Sequence, residues 1–470
     1  MTTIAADVST AQPSFDWKPQ PEAQKLVDEL LADFLDRLPP AARLAERMKA
    51  ETGTRFKDWV RSIHVPDDAD LERRLVEVGF RRDEDVLARK LFEHPGALFP
   101  YICLETAGPA ADRVTVAIKV ERVADFLAAH DLPLAGEVYG DPGEAYRSVD
   151  AWSSDDATLQ AVEEHAGHLV KSNGRPDHAV TREAARVLER FTLRRRAYPT
   201  PEEAFAELHA MIDEAVEKIG RNWTADLFFQ AERRFWMKRN RAAQVQYGRQ
   251  QTLGLGWANH DHHTYRCSRA NFANVIKTLE KLGFHCRERF YAGAEAGWGA
   301  QVLEHSGCGF VIFADVDMSG DEVKGDFAHE GFATRFAARA DGKDGLGTVG
   351  LWVALHGESL LEAGMHHLEC QFDWHALTEQ LGEKGVGMMA PFTTFPFLRQ
   401  AFTEGEKWQV PEERLSRLVG EGLITEEQAE KFRREGALGS HLENLERNDG
   451  FKGFNQHGVS DIISRTDARR

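Results

Sequence analysis

Two stretches of the chain repeat one order of short apolar segments, and this order restricts the folds open to it. Residues 55–65 and the segment that opens at Trp257 both have the pattern of strands, and each is followed by an amphipathic helix and three further strand segments. In the second stretch the helix stops at Gly283. The repeated order predicts an α+β fold in which duplicated βαβββ modules form a curved mixed sheet, with helical insertions and helical termini.

Changes of pattern divide the chain into five predicted parts. An N-terminal arm and helix occupy 1–50, and the first βαβββ module spans 51–150. Long helical periodicities indicate a helical insertion over 151–250. The second module, with the metal site, is expected over 251–390. The charged segment 391–470 is predicted to be helical and to act as a lid.

The composition disfavours several classes of partner. Lys and Arg number 58 against 76 Asp and Glu, so the net charge of −18 repels nucleic acid and anionic membrane surfaces. No apolar run is long enough for a transmembrane span. The five cysteines contain no C-x-x-C pair, and the N-terminus lacks the pattern of a secretory signal. These features predict a cytoplasmic protein without nucleic-acid or membrane partners, and they are compatible with a homodimer.

Histidines at the start of one predicted strand are the most informative candidates for chemistry. His260, His262 and His263 fall within four positions, and strand alternation places His262 on one face with Thr264 and Arg266. His260 is expected on that same face. Imidazole suits iron, zinc, nickel and copper. The competing interpretation is that these histidines only cap the strand or orient a loop.

A second cluster begins another predicted strand about a hundred residues later. There His367 and Glu369 share a face, and two histidines with one carboxylate form the ligand set that leaves open positions on non-haem Fe(II). Glu369 could equally be a rim carboxylate on a half-exposed strand. Arg61 and Arg266 are candidates to bind a substrate carboxylate through paired hydrogen bonds, with surface salt bridges as the alternative.

These residues resemble those of a known superfamily. Duplicated βαβββ units, the segment Asp261-His262-His263-Thr264-Tyr265-Arg266, and Leu368-Glu369-Cys370-Gln371 followed by Gly385-Val386-Gly387 are similar to the vicinal-oxygen-chelate superfamily. Within it the chain resembles the 2-oxoadipate dioxygenase/decarboxylase family, which has a hydroxyphenylpyruvate-dioxygenase-like fold. The resemblance implies that His262 and Glu369 bind the metal, and we expect their side chains to converge from adjacent strands.

The resemblance leaves the third metal ligand open. The family has a histidine near the start of the first module, whereas Trp59-Val60 stand there in this chain. His64 from a shifted register is the first candidate, with His94 or His367 as alternatives. The implied cofactor is Fe(II), with manganese, zinc or nickel as alternatives.

The implied reaction is the oxidative decarboxylation and hydroxylation of a small 2-oxo acid by O2, with Arg266 or Arg61 holding the far carboxylate of an anionic substrate. Two alternatives stay open at this point. One is an O2-independent lyase or isomerase of the glyoxalase type, in which Glu369 or Glu304 moves protons. The other is a metal-free protein that only binds a small molecule on the same fold.

Overall fold

A computed structural model describes residues 16–83, 89–132, 138–167, 178–294, 296–332, 345–455 and 467–469. The fourteen helices of these residues are α1 Pro21–Arg37, α2 Pro39–Arg47, α3 Ala69–Glu77, α4 Val123–Ala129, α5 His178–Leu193, α6 Pro201–Ile219, α7 Arg221–Met237, α8 Arg241–Gln251, α9 Phe272–Lys281, α10 Phe327–Glu330, α11 Thr348–His356, α12 Trp374–Glu383, α13 Glu412–Gly420 and α14 Glu426–Glu435. Within the described ranges, no helix combines the length and the apolar character that crossing a membrane would need.

The sixteen strands of the described residues are β1 Val60–Pro66, β2 Arg81–Arg82, β3 Arg89–Glu93, β4 Tyr101–Glu105, β5 Val114–Lys119, β6 Tyr146–Ser153, β7 Ala157–Glu164, β8 His260–Arg266, β9 His285–Tyr291, β10 Trp298–His305, β11 Phe310–Asp317, β12 His367–Gln371, β13 Thr393–Phe395, β14 Leu398–Phe402, β15 Glu406–Trp408 and β16 Ala437–Arg447. They form two mixed sheets.

The first sheet has the strand order β2-β3-β4-β1-β5-β7-β6. It contains one βαβββ module, β1-α3-β2-β3-β4, and a second, shorter module, β5-α4-β6-β7. Alternation along β1 sends Ile63 and Val65 into an apolar core shared with α1 and α2, while Ser62 and His64 face a cavity on the other side. The N-terminal helices therefore cover the outer face of this sheet.

The second sheet repeats this plan with the order β13-β14-β16-β12-β8-β11-β10-β9. The module β8-α9-β9-β10-β11 is followed by β12, α12 and β13 to β16. In the first sheet β1 is parallel to β4 and antiparallel to β5, and β5 is parallel to β7. In the second sheet β8 is likewise parallel to β11 and antiparallel to β12, and β12 is parallel to β16. The duplicated modules and the mixed sheets confirm the predicted fold class.

Three predicted segments differ in the structure. The apolar run LGTVGLWVALHG predicts a strand, but residues 348–356 form helix α11, because a segment that is apolar on all sides has no helical periodicity to reveal it. Strand β7 lies inside the predicted helical insertion, whose helices are α5 to α8. The predicted C-terminal lid instead supplies β13 to β16, which complete the second sheet, while α13 packs against α14 and α11.

Candidate metal centre

Three adjacent strands of the second sheet bring a histidine and two glutamates together. In the register of β8, β12 and β16, His262 lies opposite Glu369, and Glu369 lies opposite Glu443. The Nε2 atom of His262 is 3.2 Å from Oε1 of Glu369. Ligand-type atoms of the three residues all lie within 4.8 Å of one another, and all three residues are buried.

The imidazole of His262 is held in one orientation by Asp261. Nδ1 of His262 donates a 2.8 Å hydrogen bond to Asp261, whose other contacts include two hydrogen bonds from the buried guanidinium of Arg447. Burial lowers the pKa of His262, against the attraction of Asp261. A neutral ring that donates from Nδ1 directs the Nε2 lone pair at Glu369, so two acceptor atoms face each other.

The two glutamates form a buried carboxylate pair. Burial and the neighbouring Glu443 raise the pKa of Glu369 well above its ordinary value, and burial raises the pKa of Glu443 to about 7. Thr264 donates a hydrogen bond to Glu369, and Gln400 donates one to Glu443. Because two adjacent buried carboxylates cannot both remain ionised unless a positive charge lies between them, this pair needs either a shared proton or a cation.

The donor set fits a divalent metal ion. A lone pair of His262 and oxygens of Glu369 and Glu443 converge, and two ligand atoms about 2.1 Å from one ion at a right angle are about 3 Å apart. Oε2 of Glu369 and Nδ1 of His367 have no hydrogen-bond partner in the described part of the chain. One imidazole with two carboxylates would neutralise a divalent ion, where two imidazoles with one carboxylate would leave a positive site.

His367 lies beside these three residues on β12. Its Nε2 is 2.6 Å from Oε1 of Glu369 and 3.9 Å from Oε2 of Glu443. Burial, helped by the neighbouring His441, lowers its pKa far below the ordinary value, so the ring is neutral. Of the three candidates for a further ligand, His367 is the one that the fold brings to His262 and Glu369.

The residues around this centre enclose a cavity of about 80 Å³. Its apolar walls are Phe290, Trp298, Phe313, Phe392, Phe402 and Phe454. The rings of Phe313 and Phe454 each lie 4.9 Å from that of His262. Such walls exclude water from the donor atoms and strengthen their electrostatic interactions.

Arg266 supplies the positive charge of the cavity. It lies on the same face of β8 as His262 and Thr264, as strand alternation predicts, and its Nε has no hydrogen-bond partner among the described residues. Burial lowers its pKa to about 10, so the guanidinium stays protonated. Asp315 is its register neighbour on β11, and burial raises the pKa of that carboxyl to about 7.

The prediction that His64 joins His262 and Glu369 is wrong for this structure. His64 lies on β1 of the first sheet and lines a different cavity. Both of its ring nitrogens are occupied, since Nδ1 is 2.7 Å from Glu105 and Nε2 is 2.9 Å from Ser62. Arg61 lines that other cavity too, with its guanidinium bonded to Glu164.

His94 is also remote from the second-sheet cavity. Its ring packs between Phe80 and Phe99, and Nε2 bonds the backbone oxygen of Val78. His260 departs from the predicted face because the register of β8 and β12 shifts between Glu369 and Cys370. The imidazole of His260 therefore packs against His263 and Phe310.

Glu443 is the residue of the centre that the sequence interpretation missed. It lies in the charged segment 391–470, which is predicted to be helical, and the helical spacing of Leu438, Leu442 and Leu445 agrees with that prediction. The opposite signal was present, because Gly439 disfavours a helix interior and His441 and Glu443 are spaced by two, as on one face of a strand.

No protein-family model matches the chain, and no curated protein matches it significantly. Among solved structures, a triple mutant of 4-hydroxymandelate synthase from Streptomyces coelicolor has 12% identity and a TM-score of 0.29, and the alignment covers 88% of this chain and 98% of that one. A protein assigned to the glyoxalase superfamily from Ralstonia eutropha has 13% identity and a TM-score of 0.32, with coverage of 57% and 96%.

Methylmalonyl-CoA epimerase from Mycobacterium tuberculosis has 12% identity and a TM-score of 0.23, and the alignment covers 40% of this chain and 88% of the epimerase. At such TM-scores these likenesses carry no argument about family or activity.

Proposed function

We propose that this chain is a non-haem Fe(II)-dependent dioxygenase that oxidatively decarboxylates and hydroxylates a small 2-oxo acid. The observation that carries the proposal is the buried set His262, Glu369 and Glu443, in which a histidine lone pair and two carboxylates converge without a positive charge between them. Bound iron would supply the position at which the 2-oxo acid chelates and O2 is activated.

The residues of the chain would bind and orient the substrate. Arg266 follows His262 by four positions on one face of β8, which places the two about 13 Å apart along the strand. A dicarboxylic 2-oxo acid could therefore place its keto acid end at the metal and its far carboxylate at the guanidinium. The small cavity of about 80 Å³ favours a short aliphatic acid.

The surrounding side chains would protect the reaction. The phenylalanine walls keep bulk water from the reacting atoms, while Thr264 and Gln400 fix the two carboxylates by hydrogen bonds. Asp261 fixes the orientation of His262 and is itself held by Arg447. The protein's contribution is thus orientation, charge and exclusion of water.

The balance of the reaction gives the test. One 2-oxo acid and one O2 yield one CO2 and a hydroxy acid shorter by one carbon, with both oxygen atoms of O2 retained in the organic product. Protein purified without chelators and loaded anaerobically with Fe(II) should consume O2 and release CO2 in equal amounts with 2-oxoadipate or a related acid. Zinc-loaded protein is the matched control and should consume none.

Labelled O2 distinguishes this activity from the glyoxalase-type alternative. Mass spectrometry of the product should find both labelled atoms in the hydroxy acid. Turnover of the same acids without O2 would refute the dioxygenase and favour the lyase or isomerase. A protein that binds no divalent metal after anaerobic loading would refute both enzymes.

A further inference from the structure

The first sheet encloses a larger cavity than the candidate metal centre does. The cavity of about 390 Å³ lies on the face of β1 that carries Ser62 and His64, compared with about 80 Å³ in the second sheet. Its size falls in the range of roughly 300–1,000 Å³ that is usual for small-molecule sites. It is separate from the proposed reaction, because the two cavities are lined by different strands of different sheets.

This cavity cannot repeat the metal chemistry of the second sheet. Ser62, Ala117 and Gln160 form the row across β1, β5 and β7 that corresponds in topology to His262, Glu369 and Glu443. The next row is His64, Thr115 and Thr158, and both nitrogens of His64 are already bonded. A ligand here would be held by charge and hydrogen bonds.

Positively charged side chains lie near the end of β1 at Pro66. The register places Arg89 opposite Glu105, which lies opposite Pro66, and Arg113 precedes β5 by one residue near the same end. Glu105 is shared between His64, at 2.7 Å, and Arg89, at 3.4 Å.

Arg113 has no carboxylate partner among the described residues. Its nearest polar contact is a 3.5 Å approach to the hydroxyl of Thr158. Glu105 is thus already shared between His64 and Arg89, whereas Arg113 lines the same cavity without a carboxylate, so that an added anion would balance its charge.

The rest of the cavity wall is rich in hydroxyl groups, and its charged residues are Arg61, Glu164 and Asp150. Arg61 at the far end is bonded to Glu164, and Asp150 accepts a hydrogen bond from Gln160. The hydroxyl side chains that line the cavity are Ser62, Thr115, Tyr139, Tyr146, Ser148 and Thr158. Such a wall suits a ligand whose tail is itself hydroxylated, and the rings of Tyr139 and Tyr146 offer an apolar face for its carbon atoms.

We propose that the cavity of the first sheet is a second binding site, for a polyhydroxylated carboxylic acid of the sugar-acid type. Its carboxylate lies at Arg113 and Arg89 beside His64, and its hydroxylated tail extends along β5 and β7 toward Tyr146. The proposal does not depend on the activity of the second sheet.

Gluconate and sorbitol are the matched probes, because both have a six-carbon hydroxylated chain and only gluconate carries a carboxylate. In calorimetric titration of the purified full-length protein, gluconate should bind at one site and sorbitol should give no binding heat. Arg113→Gln removes the charge-assisted hydrogen bonds and should weaken gluconate binding at least about tenfold. Ala117→Leu fills the cavity without changing its charge and should weaken binding similarly.

Arg266→Gln is the control variant in the second sheet and should bind gluconate as the parent does. Melting temperatures and circular dichroism establish that each variant is folded, and Ala117→Leu provides the test if Arg113→Gln does not fold. Failure of the parent to bind gluconate at millimolar concentrations, equal binding of sorbitol, or loss of binding in Arg266→Gln but not in a folded first-sheet variant would each overturn the proposal.

Discussion

The two sheets share one topology and differ in what their concave faces carry. Where the second sheet has His262, Glu369 and Glu443 across three central strands, the first has Ser62, Ala117 and Gln160. The second cavity is small and walled by aromatic rings, whereas the first is about five times larger and lined by hydroxyl and guanidinium groups. The same backbone plan thus presents either a convergent set of metal-ligand side chains or a cavity lined by polar groups, according to which side chains the strands carry.

The histidines of the two faces also differ in charge. His64 keeps a carboxylate partner, and although burial opposes it, the attraction and hydrogen bonds of Cys103 and Glu105 raise its pKa to about 9. In the second cavity, burial lowers the pKa of His262 and lowers that of His367 still further. An imidazole must lose its proton before it can bind a metal, so this difference favours the histidines of the second cavity as metal ligands.

The largest expected effect comes from removing a carboxylate of the metal centre. Glu443→Gln should weaken Fe(II) or Co(II) binding at least about 100-fold, because changes to the residues that merely support metal ligands already cost about 10- to 100-fold. The matched control is Gln160→Ala at the corresponding place on β7, which should leave metal affinity unchanged. Anaerobic competition with a chelator measures both.

The melting temperature of the metal-free variant gives an independent check. Glu443→Gln relieves the repulsion between two buried carboxylates, so the metal-free protein should melt no lower than the parent. Metal affinity equal to that of the parent would show that Glu443 lies outside the donor set, and equal losses in Gln160→Ala would remove the contrast between the sheets.

A smaller effect is expected from the carboxylate that orients His262. Asp261→Asn removes the charged acceptor at Nδ1 and should weaken metal binding about 10- to 100-fold. Glu105→Gln makes the same change beside His64 and should not alter metal binding. If both variants lose metal affinity to the same degree, the effect is a general loss of stability rather than positioning of His262.

The third effect concerns the substrate rather than the metal. Arg266→Lys replaces the planar guanidinium, which can donate two parallel hydrogen bonds to a carboxylate, by a single ammonium group. The change should raise KM for a dicarboxylic 2-oxo acid about tenfold while metal content stays the same. Arg61→Lys in the first sheet should leave KM unchanged, since Arg61 lines the other cavity. Steady-state kinetics of both variants decide the assignment, and an unchanged KM in Arg266→Lys would refute it.

Features of the two sheets that depend on short-range periodicity could be predicted from the sequence. Strand alternation correctly placed His262, Thr264 and Arg266 on one face, and the spacing of apolar residues located α9 up to Gly283, which has the left-handed φ of 104°. The pairing of two modules within each sheet was not visible, because it depends on contacts between segments far apart in the chain.

The same limit explains the errors at the site. A one-residue shift in the register of β8 and β12 moves His260 to the opposite face of the strand, and no local sequence pattern predicts this shift. Glu443 could be located only from the pairing of β16 with β12, two strands separated by more than sixty residues. The nearby Leu438, Leu442 and Leu445 have helical spacing instead. His64 has the residue type of a ligand, yet its neighbours Ser62 and Glu105 already satisfy both ring nitrogens.

The smallest expected effect is on the pH dependence of stability, and it tests the charge contrast between the two cavities. The pKa of His64 is about 9 in the folded protein, against 6.5 as its ordinary value. Since the folded state holds the proton more tightly, His64 stabilises the fold fully below pH 6.5, and this stabilisation is lost as the pH rises through about 9. Between pH 6.5 and about 9 the effect of His64→Gln should therefore shrink. We expect the variant to melt about 2 °C below the parent at the lower pH, corresponding to about 1 kcal/mol, and the two melting temperatures to converge at the upper pH. Differential scanning calorimetry across the window measures this, and melting curves that stay parallel at every pH would mean that His64 is not a buried cation.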